Sequence, residues 1–215
     1  MKLKELEITA RGESLFLTNQ RAAFWPEKRT LIVSDIHLGK PAHFRRNGIA
    51  IPGNITVRDL ERLEQLLIHY RATQLIVAGD LIHAEANSEV LLLAALLESH
   101  PALRVILIKG NHDRLSDKNI KALGIHEVHR ELVIGPFVFS HKNEASSKKM
   151  LISGHIHPGV ALTFPAGKTV KLPCFVVSET EIILPAFSLF TGLDTKSIPQ
   201  NAVCYAFYED GIFKI

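Results

Sequence analysis

Three stretches of this chain, TLIVSD (30–35), LIVAGD (75–80) and VILIKGN (105–111), are continuous apolar runs of strand length. A run of that kind suits a strand covered on both faces, because an exposed face would alternate polar with apolar residues. Between the first two lies ITVRDLERLEQLLIHYRA, where Val57, Leu60, Leu63, Leu67 and Tyr70 recur at three- and four-residue spacing, the stripe of an amphipathic helix. Between the second and third, SEVLLLAALLESHP carries Ser88 as an N-cap and Pro101 just beyond its end. A shorter helix, SDKNIKAL, is predicted from Ser116 to Gly124. Strand, helix, strand, helix, strand requires crossover connections and a largely parallel sheet.

The rest of the chain changes character. PFVFSH, MLISGH, CFVVS, EIILPAF and AVCYAFYEDGIFKI read as strands joined by turns, with Asp210-Gly211 as a hairpin turn, and the N-terminal LEITARGESLFLTNQRAAFW reads the same way. These stretches predict a second, mainly antiparallel sheet built from both ends of the chain. Two sheets face to face with helices outside make an α/β sandwich, and 215 residues suit one domain spanning 1–215. Hydrophobic residues at 47% and charged residues at 22% exclude a disordered chain. The N-terminus MKLKELEITARGE lacks the apolar core of a secretory signal, and the longest apolar run, VLLLAALL, falls well below the ~18 residues of a membrane span. Only two cysteines occur, Cys174 and Cys204, too few for a disulfide framework and too far apart for a zinc knuckle; they read as core residues. The expected setting is cytoplasmic, with no membrane partner.

The polar residues fall where the apolar runs stop. Ser34-Asp35-Ile36-His37 closes the first strand, Gly79-Asp80 the second and Gly110-Asn111-His112-Asp113 the third. Ser140-His141 closes the fourth and Gly154-His155-Ile156-His157 the fifth. One such ending is an ordinary turn or cap. Five of them, all with metal-competent side chains at carboxyl ends of strands, point to a site. Asp, Asn and neutral imidazole are oxygen and nitrogen donors that suit Mn, Fe, Zn or Co, and no thiolate is among them. In extended chain, residues two apart project to the same side, so Asp35 and His37 can chelate one ion. By the same geometry His155 and His157 can reach neighbouring ions about 3.5 to 4 Å apart, and Asp80, with two carboxylate oxygens, can bridge such a pair.

DIH, GDLIH, GNHD, the later His141 and GHIH resemble, in order and strand context, the motif set of the calcineurin-like metallophosphoesterases. The resemblance implies a four-layer α/β/β/α sandwich, two mixed sheets with flanking helices, that holds two divalent metal ions. Carried over by motif, Asp35, His37, Asp80 and His157 hold one ion, and Asp80, Asn111, His141 and His155 the other. Manganese is the first expectation for the metal, with Fe, Zn, Co and Mg as the others. His112 assists the leaving group, and Asp113 orients or polarises it. Two departures matter. The familiar second motif is GDxxD or GDxxR, whereas this chain has Gly79-Asp80-Leu81-Ile82-His83, which makes His83 either a partner of a ligand or a substrate contact. The fourth motif often reads Gly-His, and here it is Ser140-His141-Lys142, so His141 is assigned by its place after FVF. The flanks WPEKRTLIVSDIHLGKPAHFRRNGIAIP, LPCF and ILPAFSLFTG resemble more narrowly the ligase-associated DNA-damage-response metallophosphoesterases, a bacterial and archaeal subgroup described as candidate endonucleases and linked with a DNA ligase and a helicase.

The expected function is a two-metal phosphodiesterase, a DNA nuclease or endonuclease linked to repair. A hydroxide bridging the ions attacks the phosphodiester, and His112 donates a proton to the departing oxygen. Lys40, Arg45 and Arg46 are expected to contact flanking phosphates, and Lys142, Lys148 and Lys149 lie near the fourth and fifth strand ends. The formal charge of +3 is compatible with a polyanionic partner without requiring one. One alternative is a phosphoesterase for a nucleotide or cyclic diester, with specificity in residues 43–52 and 84–87. Another is a non-catalytic interaction module, against which stands the presence of all seven ligands and His112. Of the other histidines, His43 is undecided, and His69, His100, His126 and His129 read as surface or capping residues. FSLFTG (187–192) is a candidate contact, although core is the better reading for Phe187 and Phe190.

Overall fold

The computed structural model describes residues 2–83, 88–142, 149–165 and 167–215. The chain opens with three short strands, β1 (Glu5–Ala10), β2 (Glu13–Thr18) and β3 (Ala23–Trp25). Strand β4 (Thr30–Val33) leads to helices α1 (Lys40–Arg46) and α2 (Ile55–His69) and then to β5 (Gln74–Ala78). Helix α3 (Ser88–Glu98), β6 (Arg104–Ile108), α4 (Asp117–Lys121) and β7 (Glu127–His129) follow. These strands form one seven-stranded sheet in sequence order, antiparallel from β1 to β4 and parallel from β4 to β7.

The second sheet has eight strands, seven in the order β15-β14-β12-β13-β10-β9-β8 and an eighth, β11, paired with β12. They are β8 (Glu131–Ile134), β9 (Phe137–Ser140), β10 (Met150–Ser153), β11 (Gly159–Thr163), β12 (Thr169–Val177), β13 (Glu181–Ile183), β14 (Val203–Tyr208) and β15 (Gly211–Lys214). β9, β10 and β13 run parallel and the other pairs antiparallel, so both sheets are mixed.

Alternation across the pleat explains why β4, β5 and β6 are apolar almost throughout. Leu31, Val33, Leu75, Val77, Val105 and Leu107 face the helices, meeting Leu60, Leu63 and Leu67 of α2 and Leu93 of α3. Ile32, Ile76 and Ile106 face the other way, with Trp25 of β3, into a core shared with Phe137, Phe139, Ile152 and Phe175 of the second sheet. The outer face of the second sheet, Cys174, Val176, Ile183 and Cys204, is covered by Val160 of β11 and by Ile198. Both cysteines are buried and free.

The N-terminal strands correct one expectation: they extend the first sheet and do not join the second. The link from β3 to β4 is the single 3-10 turn Pro26–Lys28, too short to cross between sheets, and it folds Phe24 back onto Leu31. On α2 the apolar stripe is rotated from the one expected, since Val57 is exposed while Thr56 and Asp59 are buried. Helix α1 was hidden by Gly39 and Pro41, yet a proline in the first turn removes no helical hydrogen bond. Ser116 caps α4 as expected, its Oγ accepting from the Asn119 amide at 3.2 Å. The side chain of Ser88 and the residues before it lie outside the described residues. In the last hairpin Tyr208 pairs with Gly211, so Glu209 and Asp210 make the turn. No helix among the described residues is long and apolar enough to cross a membrane.

Candidate metal centre

Strands β4, β5, β6, β9 and β10 end at the five polar motifs, and the structure draws those ends together. The first two motifs run side by side through their backbones: Asp35 N donates to Gly79 O at 3.0 Å, His37 N to Asp80 O at 2.9 Å and His83 N to Leu38 O at 2.8 Å. The expected reason for convergence, extended chain with side chains two apart on one side, is corrected here. Asp35, His37, Asp80, His155 and His157 all have positive φ, between 47° and 72°. Left-handed backbone costs roughly 1 kcal/mol or more per non-glycine residue, and such strain clusters at functional sites. Three glycines make room for this packing. A Cβ at Gly79 would overlap the His141 ring, one at Gly110 the Asp80 carboxylate, and one at Gly154 would lie 2.5 Å from Asp35 Oδ2.

Two groups of donors result. In the first, His37 Nε2 is 3.3 Å from His157 Nε2, and Asp35 Oδ1 is 3.4 Å from His157 Nε2 and 3.9 Å from His37 Nε2. In the second, His141 Nε2 is 3.4 Å from Asp80 Oδ2, 3.0 Å from Asn111 Oδ1 and 3.1 Å from His155 Nδ1. Donors held about 2.1 Å from one ion are separated by about 3.0 Å at right angles and about 3.4 Å at the tetrahedral angle. The observed separations fall on or near those edges. Asp35 Oδ1 is also fully buried without a hydrogen-bond partner, an acceptor that nothing in the described protein satisfies. The residues therefore fit two divalent ions.

The electrostatics agree. Burial holds the His37 imidazole down at about 3 and lowers His155, so both are neutral and can donate a lone pair. For Asp80 burial pushes upward, but the His141 hydrogen bond and charge and the His112 amide outweigh it and bring the carboxyl down to about 2. Asp80 sits with His141 and His155, and its link to the first group is its charge acting on His37.

His112 is partly exposed at the rim, with Nε2 4.0 Å from Asp80 Oδ2 and its backbone N–H on Asp80 Oδ1 at 2.9 Å. Its ring stacks on His83 at 4.5 Å between centroids. Asp113 corrects an expectation: it makes no hydrogen bond to the His112 ring. Its two oxygens accept from the Ile82 and Gly110 amides at 2.8 Å each, so it ties the second motif to the third through the backbone.

His83 lies in a row of imidazoles with His43, His112 and His37, and burial, followed by the charge of His112, lowers it to about 4. The expected substrate contacts separate. Lys40 lies in the field of Asp35 and Asp80. Arg45 donates to Glu89 at 2.7 Å, an α1–α3 tie, while Arg46 is exposed. Lys142 lines a cavity of about 370 Å³ with Asn111 and His141; Lys149 binds Gly135 O at the start of β9, the opposite end of the strand from His141; Lys148 lies outside the described residues, as do 84–87. His126 and His129 make local hydrogen bonds to the Val105 amide and Glu127.

The structure gives the stretch from Phe187 onward a role other than the contact expected of it. Phe187 N and Ser188 N donate to Ser34 O and Asp35 O at 2.7 and 3.2 Å, so this segment braces the backbone of the first motif. It is held in turn by Arg62, bonded to Phe187 O and Asp59, and by buried Asp59, which accepts from Ser188 Oγ at 3.1 Å. Phe187 is fully buried and Phe190 half-buried against Phe44. Lys171 and Lys196 line a further cavity beside His157.

Two sheets with flanking helices, converging strand ends and two clusters of oxygen and nitrogen donors define a metal-dependent phosphoesterase, a hydrolase of ester bonds. The chain belongs to the calcineurin-like phosphoesterase family, whose model matches residues 28–143. It is similar to the nuclease MPE of Pseudomonas putida: 31% identical, with a TM-score of 0.84 to that crystal structure over 99% of this chain and 100% of that one. A phosphoesterase of E. coli, Yfce, is 15% identical, with a TM-score of 0.46 over 86% of this chain and 97% of that one. No curated protein sequence matches.

Proposed function

We propose that this protein is a two-metal, manganese-dependent phosphodiesterase that cuts DNA in the cytoplasm, as part of repair alongside a DNA ligase and a helicase. The observation that carries the chemistry is the pair of donor groups, Asp35/His37/His157 and Asp80/Asn111/His141/His155, each with separations suited to one ion. The nucleic-acid substrate is supported by the likeness to a nuclease along the full chain. The ligase and helicase rest on the resemblance of the flanking stretches to the repair-associated subgroup.

Two divalent ions bound there would lower the pKa of a bound water and neutralise charge on the phosphoryl oxygens. The chain's own residues do the rest. His112, on the rim beside Asp80, is placed to give a proton to the departing oxygen, a contribution of typically 10² to 10⁴ in rate. Asp113 fixes the loop that carries His112, and the stacked His83 limits the ring's rotation while offering a neutral imidazole to the substrate. Lys40 adds a positive charge beside Asp35 and Asp80, where the phosphate must enter.

The test is manganese-supplemented protein assayed in parallel on plasmid, single-stranded DNA, a chromogenic diester and a chromogenic monoester. Cleavage of DNA and diester is expected. Diester cleavage with both DNAs left intact would replace this reading with a small-molecule phosphoesterase.

A further inference from the structure

A cavity of about 500 Å³ opens between α2, the β2–β3 turn and β14, and none of the proposed metal ligands lines it. Its wall carries four cations, Lys2, Arg21, Arg58 and Arg62, against two carboxylates, Glu61 and Glu209. Lys2 is bound to Asp210. The arginines are less well matched.

The Arg21 guanidinium makes one hydrogen bond among the described residues, from Nη1 to Ala186 O at 2.9 Å, and stands 5.9 Å from the Phe207 ring. A guanidinium has five N–H donors, and among the described residues no carboxylate pairs with this one. The adjacent carboxylate, Asp59, is already taken by Arg62, Ser188 Oγ and the Leu189 amide. The Arg62 side chain is only 10% exposed, and its buried Nε has no partner among the described residues. Two neighbouring guanidiniums thus share one committed carboxylate, and burial together with the charge of Arg62 lowers the Arg21 pKa to about 10. Taking a cation out of water without a counter-charge is costly, so a bound anion in the adjoining space stabilises the arrangement. Arg58, exposed and one turn before Arg62 on α2, supplies a further guanidinium at the mouth.

We propose that this cavity is a second phosphate-binding site, apart from the metal centre, in which Arg21 and Arg58 hold a phosphate oxyanion. The planar, forked guanidinium matches phosphate oxygens in pairs, which a lysine ammonium does not. The phosphate can be free inorganic phosphate or a backbone phosphate of a polynucleotide; only the second source rests on the nuclease reading.

The experiment uses EDTA-treated full-length protein, so that the metal centre takes no part. Melting temperature is followed against inorganic phosphate, with chloride and acetate at matched ionic strength as controls. A saturable rise specific to phosphate is expected in the wild type, weakened at least tenfold in apparent affinity in Arg21→Gln and in Arg58→Glu. Arg58 is on the surface, so its variant tests the site even where loss of Arg21 destabilises the fold. No phosphate-specific rise, an equal rise with acetate, or a rise that persists in Arg58→Glu would overturn the proposal. Fluorescence anisotropy with a labelled single-stranded oligonucleotide separates the sources: tenfold weaker binding by Arg58→Glu assigns the site to backbone phosphate, and unchanged binding with a lost phosphate response assigns it to free phosphate. Absence of DNA cleavage by the manganese-loaded enzyme would remove the nuclease reading and leave the phosphate response intact.

Discussion

Gly154→Ala should weaken the metal position at Asp35, His37 and His157 far more than the one at Asp80, His141 and His155. Gly154 has no positive φ, so alanine meets no backbone penalty there, and the whole effect is steric. The added Cβ would lie 2.5 Å from Asp35 Oδ2 and 2.6 Å from Ser34 Cβ. To regain ordinary contact at 3.4 Å the Asp35 carboxylate must retreat by roughly 0.9 Å (from 2.5 to 3.4 Å). Asp35 is fully buried, and Oδ2 already accepts the His155 amide at 2.9 Å, so that bond is strained too. Overpacking costs about 1 to 3 kcal/mol and a weakened hydrogen bond to a charged group about 1.5 kcal/mol or more. In a domain of this size that is a fall in melting temperature of about 5 to 15 °C. Ligand distances tolerate only about 0.2 Å, so the ion at Asp35, His37 and His157 should bind at least about 100-fold more weakly. Gly79→Ala is the mirror experiment: its Cβ displaces His141, and Gly79 has φ +96°, so the other ion is lost and strain is added. Metal titration by calorimetry, with elemental analysis of the loaded protein, should find one ion in each variant and two in the wild type. Two ions bound to Gly154→Ala at wild-type affinity would refute the assignment of Asp35 to a metal.

Asp80→Ala should lose metal binding and activity together; elemental analysis finding two ions in that variant would remove Asp80 as the shared ligand. His112→Ala should keep both ions and lose about 10² to 10⁴ in turnover on diesters with poor leaving groups, a native rate on such a substrate being the contrary result. Arg62→Met leaves Asp59 buried with its main counter-charge gone and should cost about 3 to 5 kcal/mol by chemical denaturation, with part recovered in the Asp59→Asn/Arg62→Met double variant. Glu181 is buried with Oε2 unpartnered, and burial raises its pKa above 4.5. Its contribution to stability is therefore full below that value and lost as pH rises through the folded pKa. Glu181→Gln should match wild type near pH 4 and exceed it by about 1 kcal/mol near pH 7.5; an equal difference at both pH values would contradict this.

What was legible in the sequence was whatever depends on local order along the chain. The runs around Leu31, Ile76 and Ile106 had to be covered on both faces because every residue in them is apolar, and the structure gives each face its own core. The five polar endings announced a site because each follows a strand directly. Residues whose role is set by what crosses from elsewhere were not legible. Asp59 and Arg62 read as the solvent side of α2, since helical period predicts a stripe and not the loop from residue 185 onward that lies over the helix and turns that side inward. Asp113 follows His112 in the chain, which suggests a side-chain partnership, yet the loop delivers its carboxylate to two backbone amides instead. Arg45 likewise sits in a basic run beside the first motif and is claimed by Glu89 of α3. The left-handed residues were the least visible, because Asp and His tolerate positive φ without advertising it as glycine does. That backbone also aims Asp35 and His37 at a common point, which an extended chain would only have placed on one side. The metal centre is thus encoded twice: donors written after each strand, and a strained backbone braced by Phe187 and Ser188 and, through them, by Asp59 and Arg62, which show in the sequence only as a pair of charges on an otherwise ordinary helix.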